Sequence, residues 1–153
     1  MKIEEILDLE KVKDDLTKAL ISIYYTSNYL RDIELKLLKP YGINQQHFNV
    51  LRFLKSKFPT PCSIGQIKNG MMDKNPDVTR LIDKLERMGL VDRHYCPNNR
   101  RKMDVQLTEE GNKRIKIINS DFKSNFIGNS WNLNNEEARQ IINLLDKLRE
   151  NDF

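Results

Sequence analysis

Hydrophobic residues in the first forty positions repeat at intervals of three, four and seven. This spacing is typical of a long amphipathic helix, which we predict from about Leu9 to Lys39. A second helix is predicted after Asn44, whose side chain suits an N-cap, and it ends before Pro59. The first sixty residues therefore read as two helices joined by a short turn.

The middle of the chain carries two shorter helix signals in close succession. Ser63 and Gln66 have the spacing of a capping box, which predicts a short helix at that point. Pro76 is a favoured first residue for the next helix, and Gly89 suits its C-cap. Between them runs an apolar stripe of Val78, Leu81, Ile82, Leu85 and Met88. The pattern predicts two helices joined by a turn, the second with a polar face opposite this stripe.

After Gly89 the hydrophobic period changes from helical to two. Residues 91–95 and 103–107 alternate between apolar and polar, and residues 96–101 between them are rich in turn formers and arginine. Helical spacing returns after Thr108 and again after Asn134, which with Glu137 forms another capping pair. We predict a mostly α fold with a small β-hairpin wing, in which a winged helix-turn-helix is flanked by helices on both sides.

Composition narrows the class of protein. The chain has 153 residues, of which 39% are hydrophobic and 31% charged, which suits one folded domain rather than disorder or a membrane protein. No apolar run approaches the ~20 residues of a spanning helix, and the N-terminus lacks a signal peptide's apolar stretch. We therefore expect a cytoplasmic protein with no membrane partner.

Candidate chemistry is sparse along the chain. Two cysteines and two histidines make neither a disulfide scaffold nor a zinc site of four ligands. The sequence offers no nucleophile with a nearby base, no glycine-rich phosphate loop and no carboxylate pair at a catalytic spacing. We expect no enzymatic activity, no catalytic residues, no metal and no cofactor.

The net charge of +4 lies in the middle of the chain. Between Cys62 and Met103 there are nine basic and five acidic residues, and the rest of the chain is neutral. A basic segment on a neutral frame suits a phosphate-backbone partner. On charge alone, a solvated surface remains the alternative.

A major groove admits one helix, which must be apolar on its back and polar on its front. Arg80 and Lys84 are able to read guanine or hold phosphate, and Thr79 to touch a thymine methyl group. The basic hairpin tip fits the negative potential of a minor groove. The candidate DNA-binding residues are Ser63, Lys74, Asn75, Asp77, Thr79, Arg80, Lys84, Arg100, Arg101 and Lys102. Each element taken alone is also compatible with an ordinary polar surface.

The amino-acid sequence of this segment resembles that of the MarR family of bacterial transcriptional regulators. The resemblance lies in residues 77–93, 97–101 and 105–111, with a threonine-arginine pair, Gly-Leu-Val-x-Arg and Leu-Thr-x-x-Gly at fixed mutual distances. It implies a winged-helix homodimer on a pseudo-palindromic operator in double-stranded DNA. The helix from Pro76 would enter the major groove and Arg101 the adjacent minor groove, with the two recognition helices about 34 Å apart.

The resemblance also divides the chain. It implies a winged helix-turn-helix DNA-binding domain at residues 41–108 and a helical dimerisation region made of residues 1–40 and 109–153. The expected function is a transcriptional regulator, a repressor, which is nucleoid-associated when bound to DNA and released by a small aromatic or anionic effector. Tyr24, Tyr25, Phe48 and Phe53 are candidates for the effector cleft, although such a set also suits a core.

Two alternatives stay open. The family usually has an aspartate two residues before the wing arginine, where this chain has Asn99. An amide lacks the charge that makes such a pair strong, so a winged-helix protein-interaction module without DNA binding is one alternative. The other is a thiol-based redox-responsive regulator that uses Cys62 or Cys96, against which stands the reading of two ordinary cytosolic thiols.

Overall fold

The computed structural model of the chain describes residues 3–7, 9–73, 76–96, 99–127 and 132–150. It is mostly helical with a small antiparallel sheet, as the sequence predicts. The elements in order are α1 (Ile3–Ile6), α2 (Asp15–Leu38), α3 (Gln45–Lys57), β1 (Cys62–Ser63), α4 (Ile64–Asn69), α5 (Val78–Arg87), β2 (Val91–Cys96), β3 (Asn99–Leu107), α6 (Glu109–Asp121) and α7 (Asn135–Arg149). Short 3₁₀ turns lie at Leu9–Lys11 and Lys39–Tyr41, and a π-helical turn lies at Phe122–Ile127.

The long first helix begins later than predicted. Leu9–Lys11 form a separate 3₁₀ turn, and α2 starts at Asp15. The cause is Asp14, whose carboxylate accepts hydrogen bonds from the Thr17 amide at 2.8 Å and the Thr17 hydroxyl at 2.6 Å. An N-cap with two partners fixes where the helix starts, whatever the apolar spacing before it.

The other helix starts follow from local capping residues. The predicted caps at Asn44, Ser63, Thr108 and Asn134 are all present. The start of α5 is a correction, because Pro76 is buried before the helix and Asp77 is its N-cap. Asp77 has a side-chain oxygen that accepts from the Arg80 amide at 3.1 Å, which proline cannot supply.

The sheet has the strand order β1-β3-β2, with both pairs antiparallel. In the hairpin Val91 lies opposite Leu107 and Arg93 opposite Val105. Cys62 of β1 flanks the other side of Val105. The two-residue strand β1 is absent from the sequence prediction because it is too short to show a period.

One hydrophobic core joins these elements. The apolar back of α5 is buried as predicted, and it packs with α3, the sheet, α6 and the end of α2. We call α3, α4, α5, α6 and the sheet the winged core. Its fully buried large side chains include Phe48, Leu51, Leu54, Ile67, Ile82, Leu85, Leu90, Val91, Ile115 and Ile118.

The base of the hairpin is held by the Leu-Thr-x-x-Gly motif. Gly89 ends α5 with φ +69°, a left-handed conformation that favours glycine. The Thr108 hydroxyl donates to the Gly89 carbonyl at 2.7 Å and accepts from the Gly111 amide at 2.9 Å. At Gly111 a Cβ atom would lie 1.9 Å from the Leu90 carbonyl oxygen. This motif therefore packs the start of α6 directly against the turn between α5 and β2.

Helices α2 and α7, which we call the helical arms, are far less buried. Leu38 is the buried residue of α2, and α7, which is described throughout, has none. Large apolar side chains are exposed along both, among them Leu16, Leu20, Tyr24, Tyr29, Leu35, Ile142, Leu144 and Leu148. Within the described ranges, no helix combines the length and apolar character needed to cross a membrane.

Candidate nucleic-acid interface

Helix α5 separates an apolar back from a polar front. Val78, Leu81, Ile82 and Leu85 are buried in the core, whereas Thr79 and Arg80 are exposed. Lys84 is half-buried. The carboxylate of Asp77 is occupied as the N-cap, so its role in the structure is to start the helix.

Ser63 stands where β1 passes into α4. Its hydroxyl accepts from the Gln66 amide at 3.2 Å, and its own amide donates to the Gln66 side-chain oxygen at 2.8 Å. This capping box fixes the first turn of α4 directly after the edge strand β1. Lys74 and Asn75, the predicted contacts in the following turn, lie outside the described residues.

The wing is the hairpin of β2 and β3. The backbone of Arg100, Arg101 and Lys102 belongs to β3, which begins at Asn99, whereas the sequence predicts a turn through residue 101 and a second strand from residue 103. The side chains of these three residues lie outside the described part of the chain. The strands stay in regular register from Val91 to Tyr95, and the register shifts between Tyr95 and Cys96. The hairpin thus carries the three basic residues at its distal end, away from the Thr108 junction.

Arg93 is a functional candidate that sequence reasoning missed. Its guanidinium donates from Nη2 to Asp83 of α5, and its Nε lies 3.1 Å from Glu86 Oε2, at an angle that makes this contact an ion pair rather than a hydrogen bond. The hydrogen bond to Asp83 raises the pKa of Arg93 above its ordinary value, against the opposing effect of burial. The partners lie ten and seven residues earlier on another element, so no local pattern identifies them.

His47 is a buried residue in the first turn of α3. Its amide donates to Asn44 Oδ1 at 3.1 Å, and its Nδ1 accepts from the Asn44 amide at 3.3 Å, completing a capping box. Burial, and secondly the charge of Lys84, lower the pKa of His47 to about 4. The imidazole is therefore neutral near pH 7, which suits a packing residue.

A cavity of about 610 Å³ lies between the arms and the winged core. Its wall is mainly apolar and includes Leu30 of α2, Phe122 after α6 and Leu145 of α7. Glu34 and Arg52 add charge, and burial raises the pKa of Glu34 while the Arg52 charge opposes that shift. A small molecule in this cavity would touch both arms and α3 at once.

The predicted effector aromatics lie elsewhere. Tyr24 and Tyr25 are exposed on α2, and Phe48 is in the core, where its ring stacks on Phe122 with centroids 5.0 Å apart. Phe53 lines two smaller cavities of about 270 and 400 Å³. Helical spacing alone does not distinguish aromatic residues that line a cavity from those that fill a core.

The buried thiol of Cys62 is poorly suited to a redox role. Cys62 is a free thiol, 3% exposed, and burial raises its pKa, so the reactive thiolate is disfavoured. The side chain of Cys96 lies outside the described residues. Among the described residues, no three His, Cys, Asp or Glu side chains cluster as a metal site would require.

Comparison with known proteins matches the part of the chain that contains α5 and the wing to a family model. The MarR family model matches residues 43–103. The chain is similar to a MarR transcription factor from Planctomyces limnophilus, with 28% identity, a TM-score of 0.67 and coverage of 90% of this chain and 97% of that one.

Two further solved structures share the fold. A MarR-like transcription regulator from Bacillus cereus ATCC 10987 has a TM-score of 0.71 at 23% identity, covering 89% of this chain and 96% of the other. The MepR protein of S. aureus in its DNA complex has a TM-score of 0.73 at 21% identity, covering 85% and 95%. Residues 43–103 therefore match the MarR family model, and the fold of the chain over nearly its whole length is similar to that of solved MarR-family structures.

Proposed function

We propose that this chain is a DNA-binding transcriptional regulator that works as a homodimer on a pseudo-palindromic operator and represses by occupying it. The observation that carries the proposal is α5, whose back is locked into the core while Thr79 and Arg80 face solvent. A helix so fixed offers polar side chains to a major groove without cost in core packing. The solved MepR–DNA complex of the same fold supports DNA as the partner.

The helical arms support the dimer. Leu16 is 82% exposed and Leu144 67% exposed, which is costly for a folded chain that has no partner. Two copies joined through the arms would place two α5 helices on one face of a duplex. The predicted division into a DNA-binding domain at 41–108 and dimerisation regions at 1–40 and 109–153 belongs to this proposal.

Selection of bound duplexes from a random pool tests the DNA proposal. We expect enrichment of a two-fold symmetric site whose half-sites are about one helical turn apart. Arg80→Ala should weaken binding to that site, and Arg114→Ala on α6, a matched loss of one guanidinium, should leave it unchanged. Failure to enrich any sequence would favour a protein-interaction module instead.

Repression is tested separately in a reporter strain. A promoter that contains the selected site should be silenced by the wild-type chain and released by Arg80→Ala. Higher expression with the wild-type chain would make it an activator and would contradict the repressor role.

We further propose that a small aromatic anion binds the cavity between the arms and the winged core and weakens operator binding. Its wall combines apolar side chains with Arg31 and Arg52 against the single carboxylate of Glu34, so its formal charge favours an anion. Benzoate serves as the probe in a titration against the DNA complex. We expect release of DNA, reduced by Arg52→Gln, whereas equal release from both proteins would place the ligand elsewhere.

A further inference from the structure

We propose that Arg93 is a positioning residue that holds the wing against the recognition helix and neutralises two carboxylates on that helix. The inference rests on the proposed DNA-binding function, since it concerns how the two DNA-reading elements are kept in register. It assigns to β2 a role distinct from that of the basic residues at the hairpin tip.

The contacts of Arg93 join two separate elements. Its side chain is 14% exposed, and its Nη2 and Nε atoms face Asp83 and Glu86, one helical turn apart on α5. A planar guanidinium fits two acceptors at once and so fixes an angle as well as a distance. With its donors directed at α5 and its surface mostly covered, Arg93 is not placed to contact a nucleic acid.

Besides these contacts, the wing is secured by its buried residues in the core, by its base and by its pairing with β1. The Thr108 junction holds the start of the hairpin, and β1 pairs with β3 at Val105 and Asp104. Arg93 lies opposite Val105 on the strand that has no β1 neighbour. Its ion pairs therefore supply a link from this outer strand to α5.

Arg93 also offsets the negative charges of two carboxylates on α5. Asp83 and Glu86 have side chains 47% and 43% exposed, on a helix proposed to lie beside phosphates. Unpaired carboxylates there would repel the DNA backbone. Arg93 lies close enough to offset both, and the other basic side chains of the helix are Arg80, Lys84 and Arg87.

Neutralising the two partners distinguishes positioning from simple charge. The double variant Asp83→Asn, Glu86→Gln removes two negative charges, so long-range electrostatics alone predicts tighter DNA binding. A lost link predicts the opposite, and we expect affinity for the selected duplex to fall about tenfold. Asp92 is exposed and directly precedes Arg93 on β2. Asp92→Asn is therefore the matched control and should not weaken binding. Tighter binding by the double variant would overturn the proposal.

A double-mutant cycle tests whether Arg93 acts through the wing. Arg101→Ala should weaken binding strongly in the wild-type chain and much less when Arg93 is already alanine, because the wing is then displaced. Arg93→Lys, which keeps the charge, should restore part of the affinity. Fully additive effects of Arg93→Ala and Arg101→Ala would contradict a positioning role.

Amide hydrogen exchange without DNA separates this inference from the proposed function. Arg93→Ala should speed exchange in the β2–β3 ladder while leaving α3 amides unchanged. Unchanged exchange in the hairpin would overturn the link even if the protein binds DNA. Failure of the wild-type chain to bind any duplex would sink the proposed function, and the exchange result would still decide whether the link exists.

Discussion

The winged core and the helical arms differ in how much of their apolar surface they bury. In the core, α3 and α5 each bury an apolar face, and hydrogen bonds at the Thr108 junction close the hairpin. In the arms, α2 buries Leu38 and α7, within the described ranges, buries nothing, while leucine and isoleucine side chains face outward. The core buries its own apolar faces, whereas the arms leave apolar surfaces exposed that the proposed dimer would cover.

Specific contacts lie where the arms and the winged core meet. Tyr41, just after α2, donates its hydroxyl hydrogen to Asp121 at the end of α6. Phe122 follows Asp121, stacks on Phe48 of the core and also lines the large cavity. A change at the cavity thus has a short physical route to α3, which the proposed effector would need in order to couple the arms to the winged core.

The largest effect is expected from Gly111→Ala in the core. The new Cβ would meet the Leu90 carbonyl oxygen at 1.9 Å, and backbone atoms on both sides must move to admit it. We expect a loss of about 3 kcal/mol in the free energy of unfolding, measured by urea denaturation. Gly65→Ala, whose nearest neighbour would be Ser63 Oγ at 3.9 Å, is the control and should be neutral or slightly stabilising. A fully stable Gly111→Ala would show that the junction is not tightly packed.

A charge in the arms should affect assembly instead of folding. Leu144→Asp places a carboxylate on the exposed apolar stripe of α7, and we expect dimer dissociation to become about 100-fold easier with little change in core stability. Sedimentation equilibrium measures the dissociation constant. Asn143→Asp adds the same charge on the polar side of the helix and should leave the dimer intact. A wild-type chain that stays monomeric at high concentration would contradict this view of the arms.

The pH dependence of stability should be a smaller effect and belong to the core. The pKa of His47 is about 4 in the folded chain against 6.5 as its ordinary value, so the unfolded chain binds more protons between these pH values. Stability is therefore full above about pH 6.5 and falls as pH drops towards 4, because burial and secondly the charge of Lys84 disfavour the protonated imidazole in the folded chain. Chemical denaturation measures the free energy of unfolding at each pH. For His47→Gln, which keeps a hydrogen-bond acceptor, this free energy should change less steeply with pH.

His94→Gln supplies the control for that measurement. His94 is exposed on β2, and its replacement should leave the pH dependence as it is. An equal reduction of the slope by both variants would remove His47 from the explanation.

Much of the fold follows from local sequence signals. Caps at Asn44, Ser63, Thr108 and Asn134 each depend on residues within one helical turn, and they appear where the sequence predicts them. The change of period after Gly89 likewise identifies the hairpin. The sequence predicts that α5 starts at Pro76, because proline is common at the first position of a helix. In the structure the hydrogen bond from the Arg80 amide to the Asp77 carboxylate sets the start instead.

What sequence could not supply depends on contacts between distant elements. The two residues of β1 become a strand through β3, more than forty positions later. The pairing of Arg93 with Asp83 and Glu86 arises when β2 folds back along α5. The cavity takes its wall from α2, α3 and α7, so the aromatic residues chosen by spacing were not those the fold places around it.

The salt dependence of operator binding tests the central claim most directly. With the selected duplex, the logarithm of the wild-type affinity should fall linearly with the logarithm of salt concentration. Arg101→Ala should weaken binding and lower that slope by about one, the value for one lost phosphate or groove contact. Binding that is absent, or insensitive to salt in the wild-type chain, would contradict the view that α5 and the wing together grip duplex DNA.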